Sequence, residues 1–143
     1  MGEIEKTTER AVKTREQLFN KLVEELTIHE KIEERIFYPE VKERATSRQL
    51  EELVLESYEE HHFVDIVKAE IEETPFGAEE WAVKFKVMME NIAHHAFEEE
   101  EGEMFPRVRR IFKKDELEDM GARMEELKDQ LMELWPAEEP TGG

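Results

Sequence analysis

The feature that most constrains this chain is where its histidines fall. All five lie in three short clusters, His29, His61-His62 and His94-His95. Two clusters are followed one helical turn later by a glutamate, giving the pairs His29/Glu33 and His95/Glu99. Residues i and i+4 share one face of an α-helix, so each pair can aim an imidazole nitrogen and a carboxylate oxygen at one point. Helix bundles assemble iron and manganese carboxylate sites from such pairs on facing helices.

Both pairs continue an apolar stripe. In a first helix expected from about Thr7 to Ala45, the stripe runs Leu18, Leu22, Leu26, His29, Glu33, Ile36. In a third helix starting near Ala78 it runs Trp81, Phe85, Met88, Ile92, His95, Glu99. Steps of three and four residues are those of a core-facing helix stripe. They register His95 and Glu99, rather than His94 and Glu98, toward the interior. A second helix, about Ser47 to Glu73, places His61 on its stripe with Leu50, Val54 and Ile71, and His62 about 100° away. Buried carboxylates are found paired or on metals, and no lysine or arginine shares the stripe beside Glu33 or Glu99. In so acidic a chain one His-x3-Glu pair can be accidental. Two pairs, each in register and each followed by an aromatic-proline step, argue for a metal. Imidazole and carboxylate without thiolate suit iron or manganese. Asp65, one turn after His61, is a weaker ligand candidate.

The two pairs also echo one another: His29 to Pro39 resembles His95 to Pro106, with one extra residue between histidine and proline in the second copy. That residue leaves Glu100, as well as Glu99, available as a ligand, and a local helix bulge could absorb it. Pro39 and Pro106 should kink or end their helices. Thr74-Pro75-Phe76-Gly77 reads as a turn. Thr46 with Gln49 and Asp115 with Glu118 read as capping boxes. A last helix, about Glu116 to Trp135, carries Leu117, Met120, Met124, Leu127, Leu131 and Leu134 on one face, and residues 136–143 read as a disordered tail.

Composition limits the partners. A chain of 143 residues is one domain, expected over 1–135, and 41% charged with few glycines and prolines it favours an all-α fold of long helices. A net charge of −18 argues against nucleic acid and anionic membrane surfaces and favours cations. With no cysteine, neither disulfides nor thiolate metal sites are available. No apolar run is long enough to span a bilayer, so a soluble, cytoplasmic protein is expected.

Three segments together resemble the hemerythrin-like, or HHE cation-binding, family: residues 26–39 around His29 and Glu33, Glu60-His61-His62, and residues 94–106 around His95 and Glu99. The resemblance spans about Thr14 to Lys128. It implies an up-and-down four-helix bundle around two non-haem irons, Glu33 and Glu99 bridging and His29, His61 and His95 as terminal ligands, with a single iron as the alternative. It further implies binding of, or reaction with, O2, peroxide or nitric oxide, catalase-like activity included. A non-catalytic iron sensor or store, or a bundle with a vestigial site, is the alternative. Family members usually begin with another helix carrying a ligand histidine, whereas no histidine precedes His29. The expectation is a bundle lacking that helix, with one of three outcomes: an under-ligated iron and so a mononuclear or labile site, substitution by Asp65, Glu60 or water, or a groove filled by the last helix or a second subunit. The apolar surface so exposed, at about 25 cal/mol per Å², favours a homodimer.

Overall fold

The structure, a computed structural model, describes residues 2–135. The expected tail at 136–143 lies outside them. Two long rods dominate. The first, 2–44, is α1 (Gly2–Ile32), a π-helical segment (Glu33–Phe37) and α2 (Tyr38–Arg44). After a short connection comes α3 (Arg48–Glu72). The second rod, 79–111, is α4 (Glu79–Ala93), a π-helical segment (His94–Met104) and α5 (Phe105–Ile111), and α6 (Lys114–Leu134) follows. The described residues contain no strand, and no helix among them is long and apolar enough to cross a membrane.

Neither proline ends its rod. Each sits in the first turn of a helical continuation, just after a π segment. Proline has no N–H to give the fourth carbonyl back, and its ring crowds that carbonyl. Widening the preceding turn relieves the crowding. In both rods the residue before proline bonds five residues back instead: the Tyr38 N–H to the Glu33 carbonyl and the Phe105 N–H to the Glu100 carbonyl.

The core is layered along the bundle. One apolar layer joins Phe37, Val41, Leu50, Val54, Met104, Val108 and Met120. Another joins Phe19, Val64, Ile71, Trp81 and Met88, with Trp81 stacked on Phe85. Between them lies a buried polar layer containing Glu33, Ser57, His61, His95 and Glu100. Each main rod crosses all three layers, so each contributes to the polar one.

The stripe of the second helix lies where its spacing put it, with Ser57 and Val64 the core positions of α3; the third holds as far as His95 and the last as far as Leu131, Leu134 being exposed. The first helix is rotated slightly: Leu18 is exposed and Phe19 buried. The reason is that α1 has two buried faces. Phe19 and the half-buried Leu22 and Leu26 meet the core, while Ile28 and Ile32 meet Leu131 of α6. Thus α6 lies along the stretch that carries His29 and Glu33. The Arg44–Glu116 ion pair and Arg123 to Glu40, 3.1 Å, join α6 to the first rod. Caps shift by a residue or two from expectation. Ser47, not Thr46, accepts the Leu50 N–H (3.2 Å), and Glu116, not Glu118, accepts the Lys113 N–H (2.9 Å). In each case the extended residue sits directly before the helix, where an N-cap belongs.

Candidate metal centre

Glu33, His61, His95 and Glu100 each bring one donor atom into a group whose atoms all lie within 4.8 Å of one another. All four are buried, at 3%, 4%, 9% and 4% exposure. They come from the two rods and α3, so only the folded bundle assembles them. His95 Nε2 lies 2.7 Å from Glu100 Oε1, and His61 Nε2 lies 3.5 Å from Glu33 Oε1. The Tyr38 hydroxyl reaches into the same space.

Of the five residues singled out by spacing, the structure gathers Glu33, His61 and His95 into this group. His29 stands beside it. Its ring is largely exposed, but Nε2 is 2.7 Å from Glu33 Oε1. Glu99 is displaced, which corrects the expected register. The π segment inserts one residue after His95, so Glu100 turns inward and Glu99 turns toward Glu60 and His94. Counting back from proline finds this, because Glu33 and Glu100 both precede their prolines by six residues. Counting forward from histidine misses it.

Of three further groups, Tyr38 and Glu30 were not read as members of the centre, and Glu60 only as a substitute ligand. Tyr38 sits in the aromatic-proline step and carried no metal-ligand signal. Glu30, 5% exposed, forms a second candidate cluster with Glu34 and His61. Glu60 Oε2 lies 2.5 Å from His95 Nδ1, the position from which a carboxylate fixes a metal-bound imidazole. Asp65 is exposed and sits near Glu30 rather than in the central group. His62 is exposed, and His94 pairs with Glu98 at 2.6 Å.

The electrostatics show two carboxylates competing for one space. Burial raises both, but the His29 and His61 rings beside Glu33 outweigh it there and hold that carboxyl well below the usual range. Glu100 is raised, by burial first and by its contact with Glu33. Burial opposes charge on His95, yet Glu100, Glu60 and Glu33 overcome it and push the imidazole to about 9. Burial, then the Asp65 carboxylate, pushes Glu30 up to about 9. Several buried atoms make no aligned hydrogen bond: Glu30 Oε1, Glu33 Oε1, His61 Nδ1, His95 Nδ1 and Glu99 Oε2 among them. Unsatisfied buried lone pairs are costly, and a cation would satisfy those that face the group. The donors therefore fit a metal, and their chemistry fits iron or manganese.

The sequence profile described as the hemerythrin HHE cation binding domain matches residues 1–108. The match covers all four residues of the central group and stops before α6. No curated protein and no solved structure matches the chain. On the extent of that profile match, the chain belongs to the hemerythrin HHE cation-binding family.

Proposed function

We propose that this protein holds non-haem iron, as a pair of ions, and binds or reacts with a diatomic or peroxide ligand: O2, hydrogen peroxide or nitric oxide. The observation that carries the reading is the buried meeting of Glu33, His61, His95 and Glu100. Glu33 and Glu100 are the carboxylates shared at the centre. His61 and His95 hold it from within the bundle, and His29 approaches Glu33 from the exposed side. Iron bound there would supply reversible redox chemistry. The chain's own part is to orient donors and limit access. Glu60 Oε2, 2.5 Å from His95 Nδ1, stands where a carboxylate would orient that ring on a bound metal.

The space beside the centre supports a small ligand. A cavity of about 50 Å³ touches His61, His95 and Glu100, and Leu26, Val64 and Ile92 form its apolar walls. It has room for a diatomic or peroxide. The test is anaerobic loading with Fe(II), then addition of O2, peroxide or nitric oxide while the optical spectrum is followed. A stoichiometric spectral change with one of them supports the reading. Loaded protein inert to all three removes the reactive part of it.

A second reading, an exchangeable iron store or sensor, is favoured by the exposure of His29. That residue opens on a groove of about 570 Å³ between α1 and α6, which Lys21, Lys128 and Met132 also line. Fast exchange of bound iron into a chelator, without ligand turnover, would select it. We further propose a cytoplasmic homodimer, on the absence of cysteine and on the exposed Phe63 and Ile66 of α3, Val83 and Val87 of α4, and Phe97 of the π segment after it. Light scattering on the purified protein reads the dimer directly, and a monomer at all concentrations would end that part.

A further inference from the structure

Tyr38 is the one member of the centre that neither spacing nor charge singles out. It is fully buried. Its Oη lies 2.6 Å from Glu100 Oε1, 3.0 Å from Glu33 Oε2, 3.2 Å from His95 Nε2 and 3.5 Å from His61 Nε2. A single oxygen therefore touches every residue of the central group. In the metal-free protein this is chemically sensible. A phenol has one proton to donate and two acceptor positions, so it can donate to Glu100 while accepting from the histidine rings.

A metal held by nitrogen and oxygen donors stands roughly 2.0–2.2 Å from each of them. The space close to donor atoms from all four residues is the space that Oη borders. A cation brought there meets the phenol oxygen, which must then either bind it or withdraw. Withdrawal is obstructed. The Tyr38 ring packs against Phe37 at 5.7 Å, Tyr58 at 5.3 Å and His61 at 5.5 Å between centroids. Its backbone is fixed by the N–H bond to the Glu33 carbonyl and by Pro39 behind it. The equivalent position in the second rod is Phe105, which has no oxygen to offer. The two halves of the centre are thus chemically unequal.

We propose that the Tyr38 phenol oxygen is itself a ligand of the metal, a fifth protein donor from a residue one turn beyond Glu33. This rests on the iron reading above. On binding, the O–H bond gives way to an oxygen–metal bond, one proton leaves to solvent, and no electron moves. A neutral phenol that ties the donors together in the empty protein becomes an anionic donor in the loaded one.

The test uses the full chain loaded anaerobically with Fe(II) and oxidised with one equivalent of ferricyanide per iron. Phenolate bound to Fe(III) gives a visible charge-transfer band and resonance-enhanced ring vibrations. The wild type should show both, and Tyr38→Phe should lose both while retaining at least half the wild-type iron. An unchanged spectrum in Tyr38→Phe overturns the proposal, as does a wild type without phenolate vibrations. If Tyr38→Phe does not fold, wild type grown on ring-deuterated tyrosine decides. Enhanced bands that shift with the label, and by proximity belong to Tyr38 rather than Tyr58, support the assignment; bands that do not shift refute it. A wild type that binds no iron defeats the iron reading and this one with it, and that outcome is distinct from iron bound without tyrosine.

Discussion

Replacing Glu100 by alanine, with Glu99→Ala as its partner, tests the helix register on which the centre depends. Glu100 is 4% exposed and approaches both Tyr38 (2.6 Å) and His95 (2.7 Å). Glu99 lies outside the central group, toward Glu60 and His94. Even groups that only support a ligand change metal affinity by roughly 10- to 100-fold when removed. Loss of a charged donor should exceed that, so Glu100→Ala should weaken iron binding by more than about 100-fold, or at least about 2.7 kcal/mol. Glu99→Ala should cost less than about tenfold. The metal-free fold should survive Glu100→Ala. The lost hydrogen bond from Tyr38, worth about 1.5–3 kcal/mol when the acceptor is charged, is partly offset by relief of repulsion at Glu33. Tyr38 also keeps Glu33 at 3.0 Å. The assay is anaerobic Fe(II) titration by calorimetry, with circular dichroism melting of the metal-free variants. If Glu99→Ala loses the metal and Glu100→Ala keeps it, the helix is regular after His95 and the bulge argument fails.

Other expectations follow from the same geometry. His61→Ala should remove most bound metal, whereas His62→Ala, on an exposed ring, should leave the stoichiometry unchanged; equal loss from both would mean α3 is rotated. Iron affinity should rise from pH 6 to pH 9, because His95 holds its proton up to about 9 and must release it to bind a metal. In the metal-free protein the sign is opposite. With its folded value raised from 6.5 to about 9, His95 contributes stability that is complete below pH 6.5 and lost as pH rises through 9. Glu30, also raised to about 9, adds to that loss as pH rises above its ordinary value of 4.5. Glu30→Gln should therefore raise the melting temperature of the metal-free protein at pH 8 more than at pH 5, and a larger gain at pH 5 would contradict the assignment.

Much of the centre could be read from residue spacing because helix periodicity is rigid. His61 and His95 continue stripes that begin with Leu50 and Trp81, and nothing between interrupts the period. Glu33 follows His29 by one regular turn, so its inward position was legible too. Glu100 was harder, because the turn after His95 is π-helical and forward counting slips by one there. The signal was present in the proline spacing, but its meaning depends on how proline loosens the turn before it. Tyr38 was hidden for a different reason: a tyrosine in an aromatic-proline step reads as packing, and only three-dimensional proximity shows its hydroxyl among the donors. The slip from Leu18 to Phe19 came from treating α1 as one-sided. Its second buried face exists only because α6 docks on Ile28 and Ile32, a pairing that no local pattern specifies.

The most direct test of the account is the iron content of the purified protein after anaerobic Fe(II) loading and removal of free metal, measured beside a Glu33→Ala/His95→Ala double variant. The account predicts close to two irons per wild-type chain and almost none in the variant, with both proteins equally helical. A wild type without stoichiometric iron, or a variant that binds as much, would contradict it.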